Sequence, residues 1–452
     1  MSSSQCNNNN NNKFTDDLLS KILIRLPVKS LLICRAVSKP WCSLISSPTF
    51  IKSHFCHAIT TPGADDTLIV QDFDGFFQRN HIISFLNLRA PQPQTTLAHP
   101  FSKQGQSRIK LVGCCRGIAC VSVANYDPNE LSLKSYDERR PVMYLWNPAT
   151  RRIKCVPMHN VHFDDMSEVV QGFGYDCVND DFKIVRVVTY PYRVEFKEDV
   201  DEVEEVDDEV RVDVEVYSVK LDAWRKLGED CMPEEIVECQ TANYDICVDG
   251  VLCCIAEGFR GVMAFDLNNE VFNCDVEFPV DSMISRIISI GDSAVGFITL
   301  EELGGQIKFW KLDDVECLRG GGAEASWSLM VSIDVDFGCM PLGYYGCGDF
   351  VLLIDGPVWV LYNADKKEAT NLPIRKFWRQ NFRYTESLVT IPGSKEVRLN
   401  GIDAEGQGEN KDESESEDEC ESESEDECES ESEDGDGDQV KDEVQVEHED
   451  EQ

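Results

Sequence analysis

Twenty cysteines and 83 carboxylates are the residues of this chain with the most chemistry to offer. Cysteine can ligate zinc, pair as disulfides or attack a substrate, and each use needs its own spacing. No two Cys-x-x-Cys pairs face each other, and the cluster His54, Cys56, His57 lacks a second half. The cysteines sit instead in apolar segments (Cys34, Cys155, Cys177, Cys247) or side by side (Cys114 and Cys115, Cys253 and Cys254). The first residues, MSSSQCNNNNNNK, have no charged-then-apolar pattern and do not read as a secretory signal. These features predict reduced, buried thiols that act as small hydrophobes, and a place in the cytoplasm or the nucleus. The stretch Gly291 to Gly296 approaches a nucleophile elbow, but its second glycine comes one residue late. There is no phosphate loop and no His-Glu-x-x-His. Gly304–Gly305 and Gly320–Gly322 read as hairpin loops. Carboxylates are so plentiful that no pair of them is informative. The residues predict no catalytic site, no metal and no cofactor.

Charge narrows the partners. The net charge is −41, but residues 404–452 hold 25 acids against Lys411 and Lys441, a net of −23, which leaves −18 on the other 403 residues. An acidic body excludes an electrostatic grip on nucleic acid or on an anionic membrane surface. No apolar run has membrane-spanning length.

The elements that carry such a chain come in two textures. From Phe14 to Phe55 apolar residues recur at helical intervals: Leu18, Leu19, Ile22, Leu23 and Leu26, then Leu31 and Leu32, then Val37, Trp41, Leu44 and Ile45. Pro27 ends the first helix and Pro48 stops the last, which predicts three short helices. Thr15 is placed to cap the first, with Asp16 and Asp17 in its opening turn. Pro40 fits only in the first turn of the third. Some forty residues cannot bury a stable core alone, so the surplus of apolar side chains needs a partner, either the rest of the chain or another protein.

From about Thr67 to Thr390 short β-branched and aromatic runs alternate with Gly, Asn, Asp and Pro, an all-β texture. A loose unit recurs: MYLWNPATRRIKCVP, VEVYSVKLDAWRKLG, MAFDLNNEVFNCDVEFP, IKFWKLDDVE with SWSLMVSI, and WVLYNADKKEATNLP, with a weaker early copy in HIISFLNL. Its aromatics, Phe85, Trp146, Tyr217, Phe265, Trp310 and Tyr362, stand 61, 71, 48, 45 and 52 residues apart. Such periods suit propeller blades with loop insertions, and a closed ring removes exposed sheet edges. The expectation is an α+β multidomain chain: a disordered Asn-rich leader (1–12), a three-helix unit (13–56), an all-β propeller-like domain of about six blades (67–395) and an acidic disordered tail (404–452).

The run LPVKSLL followed by CRAVSKPWCSLISSPTFIKSHF closely resembles the F-box of plant F-box proteins. It departs where Phe14-Thr15 replaces the usual opening Leu-Pro, and at Pro40. The turn Leu145-Trp146-Asn147-Pro148-Ala149-Thr150-Arg151, with GFGYDCVNDDFKIVRVV, GVMAFDLNNEVF and YTESLV, resembles the F-box-associated interaction domain and the related kelch-like propellers, although the doubled glycine of a strict kelch repeat is absent. The resemblance implies docking on the Skp-type adaptor of cullin–RING ubiquitin ligases, with an unknown client held by the β-domain and ubiquitin chemistry left to partners. It makes Leu18, Leu19, Ile22, Leu23, Leu26, Pro27, Val28, Leu31, Leu32, Val37, Trp41, Leu44 and Ile45 the candidates for adaptor contact or for the small core beneath it. The alternative is a stand-alone β-propeller interaction module whose helices cap the domain.

Two acidic stretches stand apart. Nine acids between Glu198 and Glu209 interrupt one unit and read as a solvated insertion or a contact for a basic partner. The tail repeats ESESEDEC from Glu413 to Cys428. Ser414, Ser416, Ser422, Ser424, Ser430 and Ser432 each have acids downstream, as acidophilic kinases prefer, so the tail is either a passive solubiliser or a phosphorylated regulator.

Overall fold

Pro27, Pro40 and Pro48 each begin a helix in this chain. A computed structural model describes residues 10–61, 67–74, 80–88, 95–97, 100–101, 107–125, 141–161, 168–190, 211–228, 231, 246–255, 261–280, 284–291, 293–300, 305–320, 324–334, 340–345, 349–354, 358–363, 366–372 and 378–397. The acidic insertion and the tail therefore lie outside the described residues. Four helices open the chain: α1 (Asn10–Leu23), α2 (Val28–Cys34), α3 (Lys39–Ile45) and α4 (Pro48–Thr60). Pro27 caps α2 with φ −63°, the angle its ring imposes. Ser38 caps α3 by accepting the Trp41 N–H at 3.3 Å, with Pro40 in the first turn as its chemistry requires. Ser47 caps α4 through the Phe50 N–H, also at 3.3 Å.

Two expectations are corrected here. Pro48 starts a fourth helix instead of stopping the third, because a proline's missing N–H costs nothing in a first turn. Thr15 is not a cap: α1 begins at Asn10, inside the expected leader, and has no acid in its first turn. No Pro or Gly separates Asn10 from Thr15, so the helix extends backward one hydrogen bond at a time.

Among the described residues 25 strands follow. β1 (Thr67–Asp74), β2 (Asn80–Asn87) and β3 (Thr95–Leu97) open a first sheet; β4 (Ser107–Cys115), β5 (Ile118–Asn125), β6 (Val142–Asn147) and β7 (Arg152–Cys155) form a second. β8 (Glu168–Asp176), β9 (Asp181–Tyr190), β10 (Arg211–Ser218) and β11 (Ala223–Lys226) make the third; β12 (Ile246–Val248), β13 (Val251–Ile255), β14 (Gly261–Asp266) and β15 (Val271–Glu277) the fourth. β16 (Ile284–Ile290), β17 (Ala294–Leu300), β18 (Gln306–Leu312) and β19 (Trp327–Asp334) make the fifth; β20 (Met340–Tyr345), β21 (Asp349–Ile354), β22 (Val358–Asn363) and β23 (Glu368–Asn371) the sixth. The last strands return to earlier sheets: β24 (Trp378–Arg383) pairs antiparallel with β1, and β25 (Lys395–Glu396) pairs with β7. Five sheets thus have four strands and one has five, where about six like units were expected.

The aromatics of the sequence repeat, Phe85, Trp146, Tyr217, Phe265, Trp310 and Tyr362, lie on β2, β6, β10, β14, β18 and β22, the third strand of each sheet in turn. The turn after that strand is held the same way in several sheets. Asn147, Asp266 and Asn363 accept the backbone N–H of Thr150, Asn268 and Lys366, and Arg151, Asp222, Glu270 and Lys367 take positive φ near +55°. First strands neighbour one another in order, β24 with β4, then β8, β12, β16 and β20.

Polar side chains staple sheet to sheet. Gln71 bridges β1 to the Ile109 carbonyl and the Leu111 N–H of β4. Lys154 reaches Asp222 at 2.9 Å. Lys183 holds Asp176 at 2.9 Å and Glu270 at 3.0 Å, from the third sheet to the fourth. Asn273 donates to the Cys317 carbonyl at 2.8 Å, from the fourth to the fifth. Arg186 and Glu215 form a fully buried pair at 2.7 Å. Between these staples the apolar faces close on each other: Val170, Val185, Val187 and Val214 pack with Leu252, Met263 and Phe265.

Among the described cysteines only Cys120, Cys253, Cys254 and Cys317 are buried, while Cys56, Cys155 and Cys177 are exposed. The expectation of mostly buried thiols is corrected: a strand inside an apolar run still turns alternate residues outward. The Gly291–Gly296 stretch joins β16 to β17, strand to strand, and a Cβ on Gly296 would lie 2.5 Å from the Trp310 carbonyl, so that glycine serves packing. Among the described residues no helix is long and apolar enough to cross a membrane, and no group of three His, Cys, Asp or Glu could hold a metal.

Candidate docking surface

The thirteen apolar residues of the helices divide by burial. Leu23, Val28, Leu31 and Ile45 are buried with Phe50 in a small core. Leu19, Leu26, Leu32, Trp41 and Leu44 pack half-buried around it, so Trp41 does staple the unit. Pro27 is exposed. Leu18, Ile22 and Val37 face outward with 56%, 56% and 63% of their surface open. Ile33, which the helical spacing passed over, is 66% exposed. Leu18 and Ile22 are four residues apart on one face of α1, and Ile33 and Val37 are four apart on α2 and the turn after it. The signal that would have found Ile33 is that interval to Val37.

The net charge of the helices is opposite to that of the rest of the chain. Residues 13–60 carry seven Lys and Arg against Asp16 and Asp17, a net of +5. Lys21, Arg25, Lys29 and Lys39 are exposed. The helices thus expose both large apolar and basic side chains.

The other side of the helices is committed to the β-domain. Leu388, from the segment after β24, is buried inside the helical core, and Ala149 packs against it. That segment, residues 384–397, is strapped to the second sheet. Asn147 Nδ2 donates to the Ser387 and Val389 carbonyls at 3.0 and 2.8 Å, and Arg152 donates to Ser394 Oγ at 3.0 Å. Gly117, with φ +75°, would put a Cβ 2.4 Å from Ser387, so only glycine fits beneath the strap. His54, buried on α4, donates from Nε2 to the Leu26 carbonyl at 2.9 Å and ties α4 to the linker before α2. Burial raises the Tyr384 hydroxyl well above its usual range, and lowers the Arg35 guanidinium with Arg152 nearby.

The helices meet the turns Arg116–Gly117 and Pro148–Arg151, which join the first and second and the third and fourth strands of one sheet. In an antiparallel sheet both turns lie at one end, so the helices cover that end and leave the opposite end to the other connections. Phe55 and Ile59 of α4 close a cavity of about 280 Å³ at the covered end. Burial pushes the Cys114 thiol lining it up to about 12, so it stays protonated at neutral pH.

Comparisons with known proteins agree with this geometry. Residues 12–53 match the F-box domain, and residues 120–380, more than half of the chain, match the F-box associated beta propeller domain. F-box protein CPR1 of Arabidopsis thaliana is 28% identical over 215 residues, 47% of this chain and 44% of that protein. A second F-box protein of the same plant is 25% identical over 320 residues, 66% of this chain and 70% of its own length. A third, an F-box/kelch-repeat protein, is 24% identical over 264 residues, 57% of this chain and 63% of its own length. The matched stretches thus span between under half and about two thirds of these relatives.

Proposed function

The chain belongs to the F-box proteins with an F-box associated beta propeller domain, and from that premise we propose that it is a non-catalytic substrate receptor of a Skp–cullin–F-box ubiquitin ligase. The observation that carries the reading is the row Leu18, Ile22, Ile33 and Val37, exposed in a unit whose inner face is already filled. An adaptor with an apolar groove and acidic flanks suits this row and the basic side chains of the helices. Cullin and RING subunits join through the adaptor. The client sits on the propeller end that the helices leave open. Catalysis is by proximity: tethering raises the effective concentration of client lysines near a ubiquitin-loaded enzyme. Cytoplasm and nucleus are the compartments in which such a ligase would work.

Leu388 favours a second reading, in which the helices mainly cap a stand-alone binding propeller, since it joins the helical core to the β-domain. Mixing the purified full chain with a purified Skp-type adaptor separates the two. The receptor reading expects one co-migrating complex on gel filtration, and separate elution of the two proteins overturns it.

A further inference from the structure

The cavity between α4 and the covered end of the propeller is lined by arginines in a chain with twice as many acids as bases. Acids number 83 and lysines plus arginines 42, and elsewhere Arg186, Arg211, Arg225 and Arg319 each hold a carboxylate. Arg116 and Arg286 line the cavity and have no ion pair among the described residues. The Arg116 Cζ lies over the Tyr175 ring, 3.6 Å from its centroid, and 5.8 Å from the centroid of the Phe55 ring. This cation–π contact holds the guanidinium at the wall without using its N–H donors. Tyr175 is itself anchored by its hydroxyl, which donates to Asp180. The Arg116 backbone, at φ +50°, is held in a tight turn with Gly117 beneath the strap. Arg383 brings a third guanidinium, positioned by donation to the Ser289 carbonyl at 3.3 Å. One carboxylate lines the cavity, Asp249, and it is turned toward Arg319 at 3.4 Å.

We propose that this cavity is a binding site for a small polyanion carrying two or more phosphate groups, held by Arg116, Arg286 and Arg383 between α4 and the propeller. Guanidinium groups match phosphate oxygens in pairs, and Arg116 and Arg286, which no described carboxylate neutralises, leave this volume positive until an anion enters. A volume of about 280 Å³ lies just below the range of about 300–1,000 Å³ usual for small-ligand pockets, which limits the occupant to a compact anion. Thr385 and Asn381 add neutral polar groups to the wall. Because one wall is Phe55 and Ile59 of α4 and the others are propeller strands, a bound anion would fasten the helical unit to the β-domain. This site does not depend on adaptor docking and stands or falls apart from it.

The test is calorimetric titration of the purified full chain with sodium tripolyphosphate, and in parallel with inorganic phosphate, at constant ionic strength. The expected result is saturable one-to-one binding of tripolyphosphate, tighter than that of phosphate, weakened about tenfold or more by Arg286→Gln, as loss of one charge-assisted contact predicts. Arg116→Gln should weaken it similarly. Lys366→Gln, in an exposed turn of the sixth sheet, should bind as the parent does. Unliganded unfolding temperatures of the variants check that each still folds. Absence of saturable binding to the parent chain, or equal binding by parent and Arg286→Gln, overturns the proposal.

Discussion

The helical unit and the propeller treat apolar surface in opposite ways. In the propeller each sheet closes on its neighbour: Val170, Val187 and Val214 meet Leu252 and Phe265, while Val248 and Val262 meet Phe297 and Leu318. Lys154, Lys183, Asn273 and Gln71 then staple the seams. The helical unit, with four helices and one small core, fills its inner side with Leu388 from the strap and leaves four large apolar residues open. The difference separates a part that closes on itself from a part with apolar surface to spare, as the proposed adaptor contact requires.

If the propeller is self-contained, breaking a buried pair should hurt it more than any other single change. Arg186→Met strands the Glu215 carboxylate, which is fully buried and also accepts the Asn160 and Val161 N–H groups at 3.0 and 2.8 Å. The expected loss is about 4 kcal/mol, read by urea unfolding. Leu388→Ala comes next, at about 3 kcal/mol, because it opens a cavity where the two parts meet. A loss confined to the helices, seen as early exchange of their amide hydrogens alone, would mean the join is weaker than described. Ser47→Ala removes the α4 cap and should cost about 1 kcal/mol, measured as a lower thermal midpoint.

Acid should loosen the Asp176–Lys183 pair, which positions the lysine that reaches from the third sheet to the fourth. Burial pushes the Asp176 carboxyl up, but the Asn179 side chain and N–H and the Lys183 ammonium outweigh it and hold the group below the usual carboxylate range. A folded pKa below the unfolded value of about 3.9 gives stability that is full above that value and lost as pH falls through the folded one. Asp176→Asn should therefore flatten the acid side of the stability curve below about pH 4, measured by unfolding midpoints at successive pH values.

Much of the propeller was legible because β-structure repeats its local chemistry. The six aromatics fell on third strands, and the Asn, Asp and Gly of the turns marked where those strands end. The helical unit was legible as helix but not in its divisions. Pro48 carries the same local message whether it stops one helix or starts the next, and the fragment TFIKSHF gave no further signal. Burial was harder still, since Leu23 and Ile22 are neighbours in sequence and one is core while the other faces solvent. The strap was out of reach, because its contacts with Asn147 and Arg152 join residues 240 to 242 apart, and no periodicity reports a pairing at that distance. The same distance hid the cavity, whose arginines come from three separate sheets.

The outer row tests the account most directly. Ile22→Ser with Val37→Ser, both at exposed positions, should shift unfolding free energy by about 0.5 kcal/mol or less while abolishing capture of a purified Skp-type adaptor in a pull-down. Undiminished capture by this folded variant would contradict the claim that these helices are shaped for a partner outside the chain.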